Sequence, residues 1–163
     1  VSAALTVWYY RDDRPGAGDE PEVVTTAEAL DRVLDYILEH PQPHPPVFTV
    51  RDRPRLMDGR YPDHEVKVDA DRGAGIGAIL CGGPADFAPD AVLSDERGGS
   101  WVSLGSTSRP SDGACVLYMD KATRTPFPSS ASVPLESWRA ALHELLQTGR
   151  RPTCVRWQDT DVF

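Results

Sequence analysis

In His64-Glu65-Val66-Lys67-Val68-Asp69-Ala70, Val66 and Val68 share one side with His64 and Ala70, while Glu65, Lys67 and Asp69 fall on the other. That two-residue period is expected of a strand in a sheet with one wet face. Asp71-Arg72-Gly73 can then turn the chain into Gly75–Cys81, so the two runs read as a β-hairpin. The letters Gly73-Ala74-Gly75-Ile76-Gly77-Ala78 also satisfy a dinucleotide fingerprint. The sequel, Ile79-Leu80-Cys81-Gly82-Gly83-Pro84, cannot form the helix whose N-terminus would hold a pyrophosphate. These glycines are therefore read as a strand closely approached by a neighbour.

Outward from this hairpin the pattern is α+β. Leu5–Tyr10 is a β-branched and aromatic run with strand alternation, followed by a charged loop over Arg11–Pro21. Thr25 with Glu28 forms a capping box, and Ala29, Leu30, Val33, Leu34, Ile37 and Leu38 make one apolar stripe. A helix over about Ala27–Glu39 follows, stopped by Pro41, Pro43, Pro45 and Pro46. Val47–Val50, Trp101–Leu104, Cys115–Met119 and Cys154–Trp157 read as further strands, and Pro84–Gly99 as an acidic loop or short irregular helix. Pro134 suits the first position of a second helix, whose stripe is Leu135, Trp138, Leu142, Leu145 and Leu146 and whose stop is Gly149. This order predicts one domain over residues 1–163, α+β, with a mostly antiparallel sheet of about six or seven strands and two main helices on one face.

The charge balance narrows the function classes. With 17 basic against 25 acidic side chains in 163 residues the net charge is -8. Such a chain is poorly suited to gripping nucleic acid or an anionic membrane, and a partner with a basic surface fits better. No apolar run approaches the roughly 20 residues that span a bilayer, and Val1–Tyr10 lacks a basic leader, so a cytoplasmic location is expected. Cys81, Cys115 and Cys154 are widely spaced and odd in number, which reads as reduced, buried thiols.

Candidate chemistry fails on geometry. His40 and His44 have metal-ligand spacing, but the prolines between them prevent the helix that would converge them; His40 fits a helix C-terminus instead. In Asp63-His64-Glu65, strand alternation is expected to send His64 away from its two acidic neighbours. No histidine is placed beside a cysteine for thiol catalysis, and His143 fits a partly exposed helix flank. Gly98-Gly99-Ser100-Trp101 lacks the glycine that must follow a nucleophile-elbow serine, and the His-x-Glu and Pro-Cys-x-x-Cys elements of zinc deaminases do not occur. Neither catalytic, cofactor nor metal residues are expected. Trp101 differs: alternation sets it opposite Val102 and Leu104, so it is expected to project from the core as an interface anchor among acidic loops.

Several segments together resemble the Imm-one family of bacterial immunity proteins from polymorphic toxin systems. They are Val7-Trp8-Tyr9-Tyr10, the capped helix Thr25–Glu39, Tyr61-Pro62-Asp63-His64-Glu65-Val66-Lys67-Val68 with its glycine-rich partner strand, and Gly98-Gly99-Ser100-Trp101. The strongest is the ending, from Pro134-Leu135-Glu136 to Gly149-Arg150-Arg151-Pro152-Thr153-Cys154-Val155-Arg156-Trp157-Gln158. The resemblance implies an α+β binding protein that blocks a cognate toxin, often a nucleic-acid deaminase, by direct contact. Lys67 and Lys121 are the only lysines, a bias of GC-rich genomes such as actinobacterial ones. That bias concerns coding and not function; the alternative that the resemblance implies is a non-enzymatic partner or regulatory subunit of a deaminase-like or biosynthetic enzyme in an actinobacterial gene cluster. In either role the expected contact surface comprises Asp58, Asp63, Glu65, Asp95, Glu96 and Trp101.

Overall fold

The computed structural model describes residues 3–12, 20–93, 97–105 and 116–161. In chain order its elements are β1 (Leu5–Trp8), β2 (Glu22–Val24), α1 (Ala27–Glu39), β3 (Val47–Val50), β4 (Arg55–Leu56), β5 (Tyr61–Pro62), β6 (Glu65–Asp71) and β7 (Ile76–Gly83). There follow β8 (Gly99–Leu104), β9 (Tyr118–Asp120), β10 (Thr125–Pro126), a 3-10 turn (Ser129–Ala131), β11 (Val133–Pro134), α2 (Leu135–Thr148) and β12 (Arg156–Asp159).

The hairpin read from the sequence is the centre of the sheet. β6 and β7 pair antiparallel from Glu65↔Gly82 to Asp71↔Ile76. Asp71 Oδ1 accepts the Ala74 N–H at 2.8 Å, and Gly75 supplies the positive φ of 69°. Around this pair the strand order is β12-β8-β7-β6-β3-β1-β2, with β11 joining the start of β7. The sheet thus has eight strands among the described residues, against the six or seven expected, and its pairings are antiparallel. The glycine-rich strand is approached as anticipated. A Cβ on Gly77 would lie 2.5 Å from the Trp138 indole, so α2 sits directly on the β7 backbone.

Both helices end where local chemistry dictates, with two adjustments. α1 covers Ala27–Glu39 as expected, but its cap is Thr26, whose Oγ1 accepts the Ala29 N–H at 3.1 Å; Thr25 lies one residue too early. Pro134 is the residue before α2 and not its first, because its extended ψ of 148° still belongs to β11. Gly149 closes α2 in the left-handed region at φ 68°, donating its N–H to Leu145 O.

The sheet buries two faces, and this overturns the expectation of a wholly wet side. Leu30, Val33 and Leu34 of α1 and Trp138, Leu142 and Leu145 of α2 cover Phe48, Val66, Val68 and Ile79. On the opposite face, Ala78, Leu80 and Val102 pack under Leu117, Met119, Phe127 and Ala131. Over β1, β3 and the first half of β6 that face is more open, with Thr6, Trp8, Val47, Glu65 and Lys67 half-buried, whereas Thr49 and Asp69 are buried. The same arrangement corrects the placement of Trp101. Alternation does set it opposite Val102, but Val102 belongs to the second core and Trp101 points into the main one, 3% exposed.

Candidate functional site

β4 and β5 form a separate two-stranded hairpin, pairing Arg55↔Pro62 and Leu56↔Tyr61, that stands beside the open face. Its apex is a tight turn: Asp58 and Gly59 have φ of 58° and 86°, the type I′ geometry that an Asp-Gly pair favours, and Arg60 N–H reaches Met57 O at 3.3 Å. Met57 is also left-handed, with φ 51°. A side chain in that region costs backbone energy of about 1–2 kcal/mol, so the apex is held against an intrinsic preference. Arg55 does the holding, donating from Nε to Gly59 O at 2.7 Å and from Nη2 to Arg60 O at 3.1 Å. The result is a braced finger carrying an exposed apolar patch, with Leu56 54%, Met57 70% and Tyr61 57% exposed.

Between this finger and the sheet lies a hollow of about 420 Å³. Trp8 and Thr49 enter it from the open-face positions of β1 and β3, Glu65 from the start of β6, and Leu56 and Tyr61 from the finger. Among the described residues its charged lining is Asp63 and Glu65, both acidic. A second, shallower hollow on the far side of the finger shares Leu56, Asp63 and Gly83 with it.

Asp63 and His64 form the floor. They come together, contrary to the alternation argument, because both precede β6, where the strand period does not yet apply. Val50 donates its N–H to His64 Nε2 at 2.7 Å, so the ring proton is on Nδ1 and is donated to Asp63 Oδ1 at 2.8 Å. Burial pushes the His64 pKa down against the pull of Asp63. Arg53 grips Asp63 with two bonds, Nε to Oδ1 at 3.1 Å and Nη2 to Oδ2 at 2.9 Å, and reaches Asp86 at 3.0 Å. Burial raises the Asp63 pKa, but the bonds from Arg53 and His64 outweigh it and hold the carboxyl below its usual range. With both ring nitrogens and both carboxylate oxygens engaged, this trio fastens the floor to β3. It has no free base to offer a substrate.

The other candidates disperse. Asp58 is exposed at the finger apex and Glu65 half-buried in the hollow, its Oε1 3.7 Å from Lys67 Nζ. Trp101 lies in the core beneath Arg151, whose guanidinium is 4.6 Å from the ring centroid. Asp95 and Glu96 fall outside the described residues, as does Cys115. Cys81 is buried, but Cys154 is exposed, against expectation, because it lies in the turn before β12 and not within a strand. His40 accepts the helix-end role, its Nδ1 3.0 Å from Tyr36 O, and His143 pairs with Asp31 at 2.8 Å. No group of three metal-ligating side chains gathers among the described residues. Nor is any helix among them long and apolar enough to cross a membrane.

Sequence reasoning missed Trp8, Leu56 and Met57 as surface features. Trp8 could have been found, since alternation separates it from Leu5 and Val7; the finger could not, because two-residue strands carry no period. The family model described as Immunity protein Imm1 matches residues 18–159. No curated protein and no solved structure matches the chain.

Proposed function

The chain belongs to the Imm1 immunity protein family of toxin systems, and from that membership we propose that it neutralises a cognate toxin by binding it. The match carries the reading, since it takes in every described element from β2 to β12. The toxin class is a nucleic-acid deaminase, whose basic cleft would attract a chain of net charge -8. Inhibition is by occlusion in the cytoplasm, without chemistry by this chain: the buried acid–histidine pair among the described residues is engaged in holding the fold.

The contact surface is the open face and its finger. Asp58 and Glu65 present carboxylates there, and Asp95 and Glu96, outside the described residues, belong to the same proposed contact set. Asp63 and Trp101 act from behind, the first by fixing the hollow's floor and the second by filling the core under β8. Co-expression with the toxin encoded beside this gene tests the reading. Restored growth together with a stable one-to-one complex is the expected result. Growth arrest despite abundant folded protein would reject it, and co-purification with a biosynthetic enzyme instead would establish the accessory role.

A further inference from the structure

We infer that the hollow between the finger and the sheet is a receptor for a single arginine side chain of the protein partner. The identification of that partner as a toxin rests on the function proposed above, whereas the receptor rests on the lining. Two aromatic side chains, Trp8 and Tyr61, line it together with the aliphatic Val47 and Leu56. Aromatic faces attract a cation through the ring quadrupole, and a guanidinium also stacks on them.

The charge in the hollow selects the same ligand. Its charged lining residues among those described are both acids, and His64 cannot offset them because its Nε2 accepts the Val50 N–H. Asp63 is already spanned by Arg53 and His64, which leaves Glu65 as the carboxylate with capacity to spare. Lys67 Nζ makes a loose ion pair with Glu65 Oε1 at 3.7 Å, longer than a hydrogen bond, so the carboxylate can still accept from an incoming donor. Arg53 and Arg55 are engaged elsewhere, Arg53 with Asp63 and Asp86 and Arg55 with the finger's own carbonyls. An apolar side chain seated here would desolvate Glu65 with only the loose Lys67 ion pair to offset the cost, and an acidic one would meet like charge. An arginine satisfies both the rings and the carboxylate. Leu56 in the lining would then close over its stem and exclude water, as the surroundings of a binding hot spot do. The volume of about 420 Å³ lies within the usual range of ligand pockets, about 300–1,000 Å³.

The test separates the receptor from the function. In the first arm the nitrogen-15-labelled full chain is titrated with N-acetyl-argininamide and, separately, with the neutral N-acetyl-citrullinamide. Saturable shifts of the Trp8 indole and the Gly82 amide with the arginine probe, absent with the citrulline probe and abolished in Glu65→Gln, are expected. Equal response to both probes, or a silent Trp8, would overturn the receptor. In the second arm the affinity for the neighbouring toxin is measured with Trp8→Ala and Glu65→Gln, each verified as folded by its thermal transition. A loss of about tenfold or more in each is expected. Undiminished toxin binding by both variants would remove the receptor and leave the immunity role standing. A responsive Trp8 in a chain that binds no toxin would do the reverse.

Discussion

A Cβ on Gly77 would stand 2.5 Å from two atoms of the Trp138 ring, a separation that neither β7 nor α2 can absorb without moving. Gly77→Ala is therefore expected to destabilise the fold by about 1–3 kcal/mol, the usual scale for overpacking, read as a lower midpoint in urea. Trp101 gives the complementary case, a large side chain removed from the same core. It is 3% exposed, lies against Gly99 and carries Arg151 over its ring, with Arg151 in turn fixed by Asp90 at 3.0 Å. Trp101→Ala should cost about 3–5 kcal/mol of stability. Because the indole does not reach the open face, toxin affinity measured on the folded fraction should stay unchanged. A stable variant with weakened binding would instead return Trp101 to the surface.

At the scale of elements, the finger and the sheet are joined through the segment Asp63-His64 between β5 and β6. His64 is held neutral by burial, and its lowered pKa has a definite consequence. Below the unfolded value of about 6.5, the unfolded chain binds a proton that the folded one refuses, so stability falls as pH drops through that window. The stability is fully present above it. Chemical denaturation between neutral and mildly acidic pH should show this decline, and His64→Gln should flatten it while lowering stability at neutral pH. A second loss belongs to Asp63, whose carboxyl is held below its usual range and whose grip by Arg53 fails only as pH falls beneath about 3.8. An unaltered pH profile in the glutamine variant would take His64 out of this account.

The legible elements were those with a period. α1 and β3 have the boundaries their patterns imply, and β6 and β7 differ by one or two residues. β2, β4, β5, β10 and β11 have two or three residues each, too few to display alternation, and none could be read. Trp101 was misplaced for another reason. Alternation correctly divides it from Val102, but cannot say which face is the core when Leu117, Met119 and Phe127 arrive from a distant segment to bury the second one. Asp63 and His64 escape alternation for a different reason: both precede Glu65, where β6 and its two-residue period begin. Of the site, Asp58 and Glu65 were read as surface acids, whereas the hollow itself required Trp8 and Tyr61 to be brought together by tertiary pairing.

For the whole molecule the governing quantity is net charge, and its effect on binding differs from that of the hollow. Around the finger Arg53 pairs with Asp63 and Asp86, and Arg55 and Arg60 flank Asp58 in sequence. The excess of eight acidic groups is spread over the chain, so it acts at a distance, on approach, more than in the closed contact. Screening separates these effects, because the Debye length falls from about 10 Å at 0.1 M salt to about 3 Å at 1 M. If the partner is basic, its association rate constant should drop by about tenfold or more over that range. Dissociation should change far less, since an arginine seated against Trp8 and Glu65 is shielded from the added ions. Glu65→Gln should show the opposite signature, faster dissociation with the salt dependence of association nearly intact, because it removes one charge of the excess. Stopped-flow measurements across a salt series decide the matter. An association rate indifferent to salt would eliminate steering by net charge and leave the local contact to account for recognition alone.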